Sequence, residues 1–189
     1  RCLETLRNSG AEAVAVCLLF SFLNPAHEQR LRELIHEIVP AACIYLSSEV
    51  LPQIREYPRL STTVINAYVA PVVIRYVERL EQALAARGFH RRLYIMQSTG
   101  GSLTTGVVRK IPVQIIESGP AAGVLAAAYI GQLTDHDKVI SFDMGGTTAK
   151  AGLIEGKEPR IVSRLQAGEF GAQFIEKQRP DHLENIFLG

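Results

Sequence analysis

The chain has 189 residues, 47% of them hydrophobic, and 20 Lys and Arg against 19 Asp and Glu, for a formal net charge of +1. That is enough apolar material to bury a core in one domain or parts of two, and a balanced charge with no basic run carrying interleaved aromatics excludes a nucleic-acid surface and an acidic tail. The three cysteines, Cys2, Cys17 and Cys43, form no CxxC pair, fit neither a disulfide framework nor a zinc site, and point to a reducing, cytoplasmic setting.

In chain order, "RCLETLRNSG" reads as the last turns of a helix stopped by Gly10, so the start of the protein is expected upstream. "AEAVAVCLLF" is an apolar run of strand length in which Cys17 reads as a small core residue. The helix "NPAHEQRLRELIHEI" follows, with Asn24 as its cap and Pro25 at its first position. "CIYLSSEV" reads as a second strand running into a polar loop, and Pro52 and Pro58 argue against regular structure through "LPQIREYPRL". A long helix is expected from Ser61 or Thr62 to Gly88, kinked or divided at Pro71. No apolar stretch reads as reaching transmembrane length without interruption, and no signal-peptide layout is visible, so no membrane partner is expected.

Next come a strand entering a glycine loop in "RRLYIMQSTGGSLTT" and a strand-like "IPVQII". "ESGPAAGVLAAAYIGQL" reads as a helix capped by Ser118 with Pro120 in its first turn. Its small side chains, Ala121, Ala122, Gly123, Ala126, Ala127 and Ala128, suit a close helix crossing. "DHDKVISFDMGGTTAKAGLIEGKEPRIVS" then reads as strand, tight turn, strand, a turn at Glu155-Gly156, and a third strand. Alternating strands and helices make this an α/β chain.

The chemistry concentrates in "SFDMGGTTAK". A strand delivers Asp143 to an edge; Gly145 and Gly146 can take positive φ and let backbone N–H groups approach an anion, and Thr147 and Thr148 add hydroxyl donors. A carboxylate beside bound phosphate needs an intervening cation, so Asp143 suits Mg²⁺ or an attacking water. The alternative is a β-hairpin with a Gly-Gly turn and no ligand. P-loop and dinucleotide spacings are absent. Lys150 can face a phosphate or reach solvent along its aliphatic stem.

Elsewhere, Ser98, Thr99, Gly100 and Gly101 can line a ligand pocket or form a structural turn, and Arg55, Glu56 and Arg59 read as a solvated loop. "HEQRL" lacks the second histidine a zinc site needs, which leaves His27 as a surface helix residue. Asp135, His136 and Asp137 read as a turn.

The order of small-faced helix, apolar strand, Asp-x-Gly-Gly-Thr turn and returning strand resembles the actin/Hsp70/sugar-kinase ATPases, a ribonuclease H-like fold. In those proteins such a helix connects two lobes and leads into the second lobe's phosphate hairpin. Within that superfamily the chain resembles the hydantoinase A/5-oxoprolinase family, which includes acetone carboxylase subunits. The resemblance rests on "AVAVCLLFSFLNPAHEQR", "LSSEVLPQIREYPRLSTTVINAYVAPV", "MQSTGG", "ESGPAAGV" and "FDMGGTTAK", in the family's order.

The resemblance implies a fragment of an ATP-dependent cyclic-amide hydrolase, or of a ketone carboxylase subunit, using ATP and Mg²⁺ beside a second, hydantoinase B-type subunit or domain; a non-catalytic nucleotide-binding or assembly module is the other alternative. It implies that Asp143 is the catalytic or metal-binding carboxylate, that Gly145, Gly146, Thr147, Thr148 and Lys150 contact the cofactor, and that Ser98, Thr99, Gly100 and Gly101 contact substrate. Residues 1–60 would end the family's N-terminal region and 61–189 begin its main domain, with a hinge near 118–137. Two departures stand out. Ala149-Lys150 occupies the place where many relatives carry an aspartate, and "RLQAGEFGAQFIEKQRPDHLENIFLG" does not match the expected continuation. The family's first phosphate loop belongs before Arg1, so the isolated chain is expected to turn over little or no ATP.

Overall fold

A computed structural model describes residues 2–146, 149–159, 164–167, 170–173 and 187–188. The chain divides into two compact units: one takes in the residues up to Leu93, Thr104–Val113 and the described part of Arg164–Ile175, and the other Tyr94–Leu103 with the described parts of Gln114–Ser163 and Glu176–Gly189.

In the first unit, α1 (Cys2–Asn8) leads to β1 (Ala13–Val16), α2 (Ala26–Ile38) and β2 (Cys43–Leu46), and β1 and β2 pair in parallel with Ala13 opposite Cys43. Successive strand residues point to opposite faces, and both faces here are apolar, as a parallel pair flanked by helices requires. Val14, Val16, Ile44 and Leu46 pack with Leu31 and Ile35 of α2 and Leu6 of α1. The alternate set, Ala13, Ala15, Cys43 and Tyr45, packs with α4 (Glu56–Ala86) through Ala67, Ala70 and Ile74. Cys17 lies just past β1 and is half-buried. Asn24 Oδ1 accepts from Ala26 N–H at 3.1 Å at the helix entrance, but the cap position itself is Pro25, one residue later than the sequence placed it.

Three sequence expectations are overturned in this unit. "SSEV" is not a loop but a short helix, α3 (Ser47–Val50), because the Ser47 hydroxyl and Ser48 N–H are both held by the Glu28 carboxylate. The stretch around Pro58 is not irregular: α4 begins at Glu56, and Pro58 sits in its first turn, where a missing N–H has no intrahelical partner to lose. Ser61 does not cap α4; its hydroxyl donates back to the Pro58 carbonyl at 3.1 Å, and the 31-residue helix runs unbroken through Pro71.

By length and composition alone α4 is long and apolar enough to cross a membrane, contrary to the sequence reading that no apolar stretch reaches that length without interruption. Its inner face is instead packed on β1 and β2 and includes the buried polar residues Thr62, Thr63 and Asn66. Its outer face carries Tyr57, Leu60, Val64, Tyr68, Val72 and Tyr76, all exposed, with Tyr68 at 83%. The unit also holds α5 (Thr105–Lys110) and the antiparallel strands β8 (Arg164–Ala167) and β9 (Phe170–Gln173).

"IPVQII" forms a 3₁₀ turn over Pro112–Ile115 rather than a strand. Pro112 has no N–H to give a ladder, and the Val113 N–H donates to the buried Asn66 Oδ1 of α4 at 3.0 Å.

The second unit contains the paired strands β3 (Tyr94–Met96) and β4 (Ser102–Thr104), then α6 (Ser118–Leu133), β5 (Lys138–Met144), β6 (Ala149–Glu155) and β7 (Glu158–Pro159). β5 and β6 are antiparallel from Lys138–Glu155 to Met144–Ala149, β7 pairs with β6, and β10 (Phe187–Leu188) pairs with β6 on its other side. Gly156 and Lys157 both have positive φ, at 62° and 67°, as a two-residue type I′ hairpin turn requires. Beyond Pro159, the rest of the strand expected in "EPRIVS" lies outside the described residues.

The Asp135-His136-Asp137 turn is a Schellman closure of α6. His136 N–H donates to Gly131 O at 2.9 Å, Asp135 takes φ 57°, and Lys157 pairs with the Asp135 carboxylate at 2.7 Å.

α6 packs on the β5–β6 hairpin with Ala128 and Gly131 buried, while Gly123 and Ala126 of its small-residue set stay exposed; α6 is the unit's only α-helix among the described residues, so the expected helix crossing is corrected. The close approach is made by glycines on both sides. A Cβ on Gly131 would lie 2.8 Å from Val139 Cγ2, and one on Gly152 would lie 2.5 Å from Val124 Cγ2 and 2.6 Å from Ser141 Oγ. Gly152→Ala is therefore expected to destabilise the protein by about 1–3 kcal/mol through overpacking. Gly123→Ala, with nothing within 4 Å of the new Cβ, is expected to be neutral or stabilising. Thermal unfolding of the two variants side by side checks the contrast.

Candidate functional site

The face of the β5–β6 hairpin that packs under α6 is set by strand alternation. Val139, Ser141 and Asp143 of β5 share it with Ile154, Gly152 and Lys150 of β6, which stand directly opposite them. Ile140, Phe142 and Met144 point the other way and are exposed. The strand thus delivers Asp143 to its last turn-proximal position on the helix side, beside the glycine turn.

Asp143 is exposed and, among the described residues, makes no hydrogen bond or ion pair. Gly146 does not use the left-handed region that its sequence context allowed; what it leaves is room, since a Cβ there would meet nothing within 4 Å. Gly145 is exposed beside it. Thr147 and Thr148, the expected hydroxyl donors, lie outside the described residues.

Lys150 is not a free surface lysine. Its ammonium pairs with the Glu117 carboxylate, and the two side chains are only 23% and 30% exposed. Glu117 immediately precedes α6, occupying the cap position expected of Ser118, which is the helix's first residue.

Its backbone is tied to the other expected ligand loop. Glu117 N–H donates to Ser98 Oγ at 3.2 Å, while Ser98 Oγ and N–H donate to Gln114 O at 2.9 and 2.7 Å.

The Ser98–Gly101 segment is a tight turn. Gly100 N–H donates to Gln97 O at 3.0 Å, and Gly100 takes φ +88° with its Cα against Leu125 of α6. A Cβ on Gly101 would fall 2.4 Å from Gln97 Nε2. Thr99 is half-buried within it. Turn, helix start and hairpin end are therefore linked in series: Ser98 to Glu117, Glu117 to Lys150, and Lys150 across from Asp143.

Among the described residues no group of three or more His, Cys, Asp or Glu is poised for a metal. A single free carboxylate still fits Mg²⁺, which is commonly held by one or two carboxylates with phosphates and water completing its shell.

Residues 59–175 match the family model described as hydantoinase/oxoprolinase, and residues 1–39 match its N-terminal region. The chain belongs to the hydantoinase/oxoprolinase family. The match runs through "RLQAGEFGAQF" to Ile175, which corrects, for that stretch alone, the expectation that the chain departs there from the family's continuation; residues 176–189 lie beyond the match. An uncharacterized protein of Methanocaldococcus jannaschii is 40% identical over 87% of this chain and 24% of its own. The caprolactamase subunit alpha of Pseudomonas jessenii is 38% identical over 82% of this chain and 22% of its own. Nucleotide-free acetone carboxylase, solved in a study of ATP-dependent acetone carboxylation, superposes with a TM-score of 0.82 at 26% identity, over 91% of this chain and 24% of its own. The chain thus spans about a quarter of the length of these relatives, and its α/β fold is part of the family's actin-like ATPase fold.

Sequence reasoning missed two buried charges in the first unit. Arg59, assigned to a solvated loop, is 0% exposed. It donates to the Leu18 and Gln53 carbonyls and lies 5.4 Å from the centre of the Phe22 ring. Glu28, inspected only as part of a failed zinc motif, is also 0% exposed and accepts from Leu18 N–H, Ser47 Oγ and Ser48 N–H. His27 beside it is exposed, as expected. The signal was there in one respect: Arg59 and Glu28 both lie in stretches that carry the family resemblance.

Proposed function

We propose that the chain is part of an ATP-dependent enzyme that opens a cyclic amide, and that the turn between β5 and β6 faces the terminal phosphates. The observation that carries this reading is the exposed Asp143 carboxylate, which has no partner among the described residues, beside the open space at Gly146. The similarity to a caprolactamase subunit supports the substrate class. When bound, Mg·ATP supplies the phosphoryl group that makes an unreactive amide carbonyl attackable. Asp143 holds the metal or orients water, the backbone at Gly145 and Gly146 admits the phosphates without side-chain clash, and Thr147 and Thr148 add donors, whereas Lys150 is committed to Glu117. The linked Ser98–Gly101 turn then sits toward the substrate. Because the caprolactamase relative is a named subunit, the whole protein is proposed to act beside a second subunit.

The likeness to acetone carboxylase favours a second reading, the ATP-dependent carboxylation of a ketone. Mg·ATP hydrolysis by the full-length protein, measured with 5-oxoproline, caprolactam and hydantoins and separately with ketones plus bicarbonate, separates the two. Stimulation by cyclic amides, with the open-chain product formed, is expected. Stimulation by ketones alone would move the assignment to carboxylation, and nucleotide binding without turnover would leave only a binding or assembly module.

A further inference from the structure

Oppositely charged residues directly across an antiparallel pair ordinarily attract each other. Asp143 and Lys150 stand in that relation, on one face of the hairpin, yet the Lys150 ammonium turns to Glu117 and Asp143 is left without a partner among the described residues. Glu117 can hold it there because its own backbone is pinned. Its N–H donates to Ser98 Oγ, and its carbonyl accepts from Ala121 N–H at 3.3 Å in the first turn of α6.

We infer that Glu117 is a positioning residue whose work is to sequester Lys150, so that Asp143 stays an un-neutralised carboxylate available to a divalent cation. The inference rests on the reading of the β5–β6 turn as a phosphate hairpin. An ammonium on a four-carbon stem is mobile, and once released by Glu117 it swings to the carboxylate directly opposite. A cation already on Asp143 repels an incoming metal ion and occupies the oxygens the metal needs.

The test is Mn²⁺ binding to the full-length protein in the presence of ADP, followed through the EPR signal of the free ion, for wild type, Asp143→Ala, Glu117→Gln and Glu117→Gln/Lys150→Gln. Asp143→Ala and Glu117→Gln are each expected to weaken Mn²⁺ binding about tenfold or more, and the double variant is expected to recover most of what Glu117→Gln loses, because no lysine remains to occupy Asp143. A misfolded Glu117→Gln protein is not rescued by removing Lys150, so recovery separates the positioning role from a structural one. Weakening by Asp143→Ala with no effect of Glu117→Gln, or a loss that the double variant fails to recover, overturns the inference and leaves the hairpin reading standing. No effect of Asp143→Ala overturns both.

Discussion

Asp143→Ala in the full-length protein is expected to lower substrate-stimulated ATP turnover about 10²- to 10³-fold, with folding and thermal stability unchanged. The stability half of this expectation comes from the geometry: the side chain is exposed and makes no hydrogen bond or ion pair among the described residues that its removal would break. The activity half follows from the proposed function. A preorganised group acting on charge that develops in the transition state contributes on that order. Single-turnover and steady-state ATP hydrolysis with an activating cyclic amide, beside a melting curve, makes the measurement. Full turnover in the alanine variant would return the Gly-Gly turn to a purely structural hairpin.

The second large effect is expected far from the hairpin. Glu28→Ala removes the acceptor for Leu18 N–H, Ser47 Oγ and Ser48 N–H in a place with no exposure, at 2.9, 2.6 and 2.9 Å in the native protein. Each buried donor left unpaired costs about 1–3 kcal/mol, so a loss of about 3 kcal/mol or more is expected. The Leu18 backbone is gripped from both sides, its N–H by Glu28 and its carbonyl by Arg59, so the loss should be felt first in the segment after β1. Faster hydrogen exchange of peptides covering residues 17–24, together with a lower melting temperature, checks it. Exchange unchanged from wild type would show that the carboxylate is dispensable.

The same carboxylate gives a pH dependence with a definite sign. Burial pushes the Glu28 carboxyl up, but hydrogen bonds from Ser47, Ser48 and Leu18 outweigh it and hold it below the usual range. The stabilisation it contributes is therefore fully present above the unfolded carboxyl value, near ~4.3, and is lost as the pH falls through the lower folded value. Acid unfolding of Glu28→Gln should lack that component.

Much of the second unit was legible because its determinants are local. The alternation in "KVISFDM", the Gly-Gly turn and the Glu155-Gly156 turn define a hairpin, and a hairpin's register follows from its turn, which is why Asp143 could be placed at the strand end. The alanine-rich helix with Pro120 in its first turn was equally plain. Three of the misreadings fell where a group outside the local pattern decides the outcome. "SSEV" curls because Glu28, 19 residues away from Ser47, takes its donors. "IPVQII" fails to extend because Asn66, 47 residues from Val113, accepts its N–H. Arg59 was read as solvated because a charge in a proline-bounded stretch ordinarily is; the Leu18 carbonyl and the Phe22 ring from the segment after β1, with the Gln53 carbonyl of its own stretch, hold it buried.

The candidate site divides in the same way. By itself the sequence determined the hairpin, the position of Asp143 on it, the α/β class and the family, since turn chemistry, strand alternation and motif order are properties of neighbouring residues. Only the tertiary structure decided where Lys150 points and what Glu117 does. Those depend on α6 lying against one face of β5 and β6, at a separation set by Gly131 and Gly152, and that brings together side chains 33 residues apart. A charge declares its chemical type in the sequence, but its partner is chosen by packing.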